Sequence, residues 1–254
     1  MKVISDLHTH TMASTHAYST INENCESAGS RGIKIIAMTD HAPKMPDGTH
    51  EWHIGNQCVL PQIIKGVCVL KGVEADIMNP AGEIDVADYV LSGLQWIVAS
   101  FHTPVYAERT EDEHLETILN VCKNPAIDVF GHLTTVSHRF DYAEGAKLFA
   151  KYDKIVEVNE ASINAGRSTR ENVAELLKEC KKNNVKISLD SDAHYCDGIG
   201  VVNTAAQLVK EAVYPKELII NNNYEYIVSR VNENHPNAPK IDMEAIKNLI
   251  YGQN

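Results

Sequence analysis

No apolar run in this sequence approaches the ~20 residues that a membrane-spanning helix requires. The opening Met1-Lys2-Val3-Ile4-Ser5-Asp6-Leu7-His8 turns polar after four residues, too early for the apolar region of a secretory signal. Positive charge is scarce: 23 lysines and arginines stand against 34 aspartates and glutamates, a formal charge of −11. That sign argues against nucleic acid as a partner, because a broad footprint on phosphates needs a basic surface. The six cysteines (Cys25, Cys58, Cys68, Cys122, Cys180, Cys196) have no short paired spacing, and several sit inside apolar patterns. They read as small buried hydrophobes in a reducing cytoplasm, not as a disulfide frame. Fixed-period repeats, low-complexity linkers and composition breaks are also missing. The expectation is one cytoplasmic domain over residues 1–254, and a homo-oligomer is compatible with it.

What is present is an ordinary globular composition, 44% apolar and 22% charged, on a chain of 254 residues. A chain of this length buries roughly three-quarters of its unfolded surface, enough for one large core. Seven short apolar runs rich in Val and Ile predict strands: 2–5, 34–38, 67–73, 96–100, 126–130, 155–158 and 185–189. Most are nearly continuous in apolarity, as parallel strands covered on both faces should be. Helical spacing fills the gaps at 22–31, 111–122, 170–183, 204–213 and 243–250, with Thr169 placed to cap the third of these. Repeated strand–helix alternation means an α/β fold with a parallel sheet. The stretch from Pro43 to Pro61 is expected to be an irregular loop.

The chemistry lies at the ends of the runs. The first is followed by Asp6, His8 and His10, with His16 close behind, and the second by Asp40-His41. Glu74 and Asp76 follow the third, His102 the fourth, His132 the fifth, and Asp190, Asp192 and His194 the seventh. In a closed α/β barrel the C-terminal strand ends converge on one face, where such folds place their active sites. A lone histidine after a strand is usually a hydrogen-bonded structural residue. The joint pattern of seven histidines and two carboxylates (His8, His10, His16, His41, Glu74, His102, His132, Asp192, His194) instead predicts a polynuclear metal site. Imidazole nitrogen with carboxylate oxygen and no cysteine suits Zn, Mn or Fe(II). Nine ligands suffice for three divalent ions if one carboxylate bridges, and leave coordination positions open for catalysis.

The same residues resemble the PHP (polymerase and histidinol phosphatase) superfamily, and within it the small stand-alone YcdX-type phosphatases. The resemblance rests on Asp6-x-His8-x-His10, Thr39-Asp40-His41, Glu74, His102, His132 and Ser191-Asp192-Ala193-His194, and covers essentially the whole chain. It implies a distorted (β/α)7 barrel. It also implies one metal on His8, His10, Glu74 and Asp192, a second on Glu74, His102 and His132, and a third on His16, His41 and His194. Zinc is the default in this branch, with manganese or iron in related members.

Three dications with two carboxylates give a local charge of about +4, which attracts a phosphate dianion even to an acidic protein. The expected reaction is hydrolysis of small-molecule phosphomonoesters by a metal-bound hydroxide. No phosphate-cradling glycine loop and no activated Ser or Cys nucleophile point to another route. Arg167, after the one strand end without a ligand, either clamps substrate phosphate or is a surface arginine before a helix. His53, beside Trp52, either covers the site and protonates a leaving group or is a packed loop residue. Asp6 and Asp40 are candidates for orienting ligand imidazoles. His114, His138 and His235 read as surface or structural residues. The rivals are a 3′–5′ exonuclease of the same superfamily and an amidohydrolase-like C–N hydrolase.

Overall fold

The computed structural model describes residues 2–252. Its strands are β1 (Ser5–Thr9), β2 (Ile35–Met38), β3 (Ile63–Ile64), β4 (Val67–Asp76), β5 (Trp96–Ser100), β6 (Val129–Phe130), β7 (Ile155–Asn159) and β8 (Ile187–Asp190). Seven of them run parallel in the order β1-β2-β4-β5-β6-β7-β8, and β3 folds back antiparallel on β4. The two edges of this sheet meet without a full ladder. They are joined above the strands by Asp192 N–H to His8 O at 3.0 Å and His10 N–H to Ala193 O at 3.0 Å. The result is a nearly closed, single-layered barrel wrapped by helices, as the strand–helix alternation requires.

Two apolar layers hold it. Leu7, Ile35, Leu70, Trp96, Val98, Val129 and Ile155 fill the lower interior and pack on Ile227, Val228 and Val231 of helix Tyr224–Asn234. The opposite strand faces, including Ile36, Val69, Ile97 and Val156, pack on the surrounding helices through Cys25, Ile118, Phe149 and Leu176. Each such side chain contributes about 1.5–3 kcal/mol when removed from water. At Gly72 a Cβ would sit 2.5 Å from Trp96 O, so neighbouring strands close only over glycine. Below the barrel, Asp128 Oδ1 accepts from Arg230 Nε at 2.8 Å and Oδ2 lies 2.8 Å from His235 Nε2.

Helices 111–122 and 170–182 stand where the spacing places them, the first capped by Thr110 and the second by Thr169. Three expectations change. The first strand is Ser5–Thr9 and not 2–5, because Asp6 and His8 find buried partners that a solvent-exposed turn would not supply. The fifth run forms only Val129–Phe130, since Ala126 N–H and Ile127 N–H are taken up by Asn124 in the turn that precedes it. The 43–61 stretch is partly helical: Glu51–Gly55 is capped by His50 Nδ1, which accepts from Trp52 N–H at 3.1 Å.

Candidate metal centre

A register shift between Asp6 and Thr9 sets up the first ligand. Asp6 pairs with Ile36 and Thr9 with Met38, so β1 carries one extra residue there. A bulge of this kind lets successive side chains face the same side. Leu7 therefore joins the interior core while His8, next to it, also reaches inward to Glu74 and Glu157. Along β4 the inward alternation of Cys68 and Leu70 brings Glu74 to the barrel mouth. His132 and Asp192 are delivered by left-handed backbone (φ 31° and 54°), a conformation that costs a non-glycine residue energy and concentrates at functional sites. It is held by His132 N–H donating to Glu157 Oε2 at 2.7 Å and by the Asp192 bond to His8 O.

All nine residues of the predicted ligand set meet at this mouth. Glu74 is central: Oε1 lies 3.2 Å from His102 Nε2 and 3.0 Å from His132 Nε2. Its other oxygen lies 3.3 Å from His8 Nε2, 3.6 Å from His10 Nε2 and 2.8 Å from His41 Nδ1. Asp192 Oδ1 is 3.0 Å from His10 Nε2 and 3.8 Å from His8 Nε2. His194 stacks on His10 and His16 at 4.2 Å between ring centres, and His16 stacks on His41 at 5.3 Å. His8 Nε2, His10 Nε2, His41 Nδ1, Glu74 Oε2, Asp192 Oδ1 and His194 Nε2 are all buried without a hydrogen-bond partner. Unsatisfied groups of this kind are rare in a protein interior. Here they are lone pairs aimed at one small volume, and that donor set fits divalent cations. Groups of three ligand atoms within reach of one ion include His8–His10–Glu74 and His10–His41–His194.

A model described as the PHP domain matches residues 6–249. The chain belongs to the PHP domain family. A probable phosphatase of Photobacterium profundum is 38% identical over 87% of this chain and 90% of the relative. One of Vibrio parahaemolyticus is 36% identical over 95% of this chain and 99% of its own length. The fold is similar to that of the histidinol phosphate phosphatase of Lactococcus lactis, solved with zinc, L-histidinol and phosphate. That match has a TM-score of 0.61 and 18% identity, covering 83% of this chain and 94% of the other.

Five of the predicted ligand histidines are steered from behind. His8 Nδ1 is 2.7 Å from Glu157 Oε1, and His102 Nδ1 is 2.6 Å from Asp76 Oδ1. His16 Nδ1 bonds Asp47, and His194 Nδ1–H donates to Asp192 O at 2.9 Å. His10 Nδ1 lies 3.4 Å from Ser14 Oγ, which donates to Asp40 Oδ1 at 2.8 Å. Such partners fix the tautomer, leaving the other ring nitrogen bare for metal. Asp40 thus reaches one imidazole, that of His10, through Ser14. Asp6 does not: it accepts from Ser191 N–H and Gly200 N–H and so anchors the segment bearing Asp192.

Electrostatics agree with a cation-seeking centre. Burial alone would raise both Glu74 and Asp192, but the histidines around them hold each carboxyl well below its ordinary range. Burial and the neighbouring His41 push His10 down to about 3, so its ring is neutral. Burial opposes the charge on His102, yet Glu74 and Asp76 lift it to about 10. Divalent ions held by these residues would meet the same demand for positive charge in place of those protons.

The other expectations divide. Arg167, with its side chain 58% exposed, has Nη2 3.9 Å from Asp192 Oδ2 and lines the cavity of about 310 Å³ above the cluster. His53 lines a separate groove of about 740 Å³ with Trp52 and Tyr89, and its Nε2 lies 3.2 Å from Asp40 Oδ2. The structure therefore puts it beside Asp40, outside the lining of the cavity above the cluster. His114, His138 and His235 are all buried, so the surface half of that reading is corrected. Glu157 and Asp47 escaped sequence reasoning. A carboxylate in the middle of the apolar strand Ile155-Val156-Glu157-Val158 was the available signal for the first.

Proposed function

We propose that this chain hydrolyses small phosphomonoesters with three divalent ions, zinc by default, held as the family resemblance implies. His8, His10, Glu74 and Asp192 would hold one ion, Glu74, His102 and His132 a second, and His16, His41 and His194 the third. The observation that carries this is the convergence of five imidazoles on the two oxygens of Glu74, with His8 Nε2, His10 Nε2, His41 Nδ1 and Glu74 Oε2 buried and without a hydrogen-bond partner. One oxygen faces His102 and His132 and the other faces His8 and His10, which is what a bridging carboxylate needs. Relatives named probable phosphatases, similar over nearly their whole length, support the reaction class.

Bound divalent ions lower the pKa of water towards ~7 and neutralise charge on a phosphoryl group. The chain's own residues do the rest. Glu74 and Asp192 spread two negative charges among the ions. Arg167, at the cavity rim, donates to phosphoryl oxygens and counters charge as it develops. The orienting carboxylates Glu157, Asp76 and Asp47 keep the imidazoles fixed, so little reorganisation accompanies the reaction.

A small aryl phosphate tests this. Hydrolysis should disappear on chelation and return with added zinc or manganese. Cleavage of single-stranded DNA or of amides with monoesters left intact would replace the proposal with one of its rivals.

A further inference from the structure

We infer that the cavity selects compact phosphomonoesters whose leaving group carries no positive charge, a conclusion that rests on the phosphatase reading above. With the phosphate drawn to the metal cluster and Arg167, the leaving group must lie along the remaining wall. That wall is built from Met45, Phe101, Pro104 and Val136, with Ser137 beside them. Among the described residues lining the cavity, Asp192 is the sole carboxylate, and it stands among the metal ligands. Asp47 is not part of the lining and is bonded to His16. An ammonium group here would lose water without gaining a counter-ion, next to a guanidinium and a cluster that holds cations.

The polar part of the wall is neutral as well. His138 is buried and stacks on Phe101 at 5.1 Å with the ring planes 9° apart. Its Nε2 lies 3.0 Å from the carbonyl of Tyr106, which can only accept, so the ring proton is on Nε2. Nδ1 then accepts from Ser137 Oγ at 3.0 Å. With its proton so committed, Ser137 Oγ offers lone pairs to a hydroxyl but no negative charge to balance an ammonium. At about 310 Å³, the cavity stands at the small end of ligand sites, which restricts the ester to a compact one.

Two isosteric pairs test the inference. With metal-replete protein, kcat/KM for propyl phosphate should exceed that for O-phosphoethanolamine, its ammonium counterpart, at least tenfold. By calorimetry, butylphosphonate should bind at least tenfold more tightly than 3-aminopropylphosphonate. Val136 is 57% exposed at the rim, so Val136→Glu should fold normally and shrink both ratios about tenfold. Equal or better use of the ammonium partner by the wild type would overturn the inference while leaving the phosphatase reading intact. Failure to hydrolyse any monoester would instead overturn that reading; equal binding of the two phosphonates would still count against charge selection.

Discussion

Glu157 Oε1 lies 2.7 Å from His8 Nδ1, while Oε2 of the same carboxylate accepts the backbone N–H of His132 at 2.7 Å. One side chain on β7, which supplies no predicted ligand itself, thus fixes two predicted ligands, His8 on β1 and His132 just beyond β6. Glu157→Gln puts an amide NH₂ where one of these acceptors stands, so one contact is lost. Metal affinity should fall about 10–100-fold, measured by competition with a chromogenic chelator. Unchanged affinity would reduce Glu157 to a packing residue.

Arg167 is exposed and anchors nothing in the core. Arg167→Ala should leave the melting temperature and metal content as they are. A charge-assisted hydrogen bond to phosphate is worth roughly 1.5–3 kcal/mol, so kcat/KM should drop about 10–100-fold. Kinetics identical to wild type would return this residue to the surface.

Stability should depend on pH through the base of the barrel, where Asp128 meets Arg230 and His235. Burial would raise the Asp128 carboxyl, but the hydrogen bond from His235 and the charges of His235 and Arg230 outweigh it and hold the group below its ordinary range. A depressed carboxyl stabilises the fold fully above its unfolded pKa of about 4. That contribution is lost as pH falls through the lower folded value. Asp128→Asn should therefore cost about 3–5 kcal/mol at pH 7. The gap to wild type should narrow below about pH 4, as read from denaturant midpoints across pH. A constant gap would contradict this.

Metal removal should also register as lost stability, since ions that bind only the folded chain stabilise it by mass action. Exhaustive chelation should lower the melting temperature by on the order of 10 °C. Restoring zinc should recover it. A melting temperature indifferent to chelation would mean that the buried lone pairs hold no ion.

Most of the barrel is legible because parallel strands buried on both faces are nearly continuous in apolarity, as Val67–Leu70 and Trp96–Ala99 are. β1 is displaced because Asp6 and His8 are polar for reasons of function, which an apolar-run criterion cannot see. The β3–β4 hairpin is missed because its turn places Lys65 at φ 48° ahead of Gly66 at 77°, and lysine does not advertise a left-handed turn. At the site, the ligands are visible because their side-chain chemistry is unusual at strand ends. Their orienting partners are less so: Asp47 bonds His16 only because the 43–61 stretch folds over the barrel mouth, a tertiary fact without a local signature.

The most direct test is the number of transition-metal ions per chain in protein loaded with zinc, freed of excess and analysed by elemental mass spectrometry. A value close to three, falling when Glu74 is replaced by alanine, is the predicted result. A value of one or less in the intact protein would contradict the trinuclear centre on which the proposed chemistry depends.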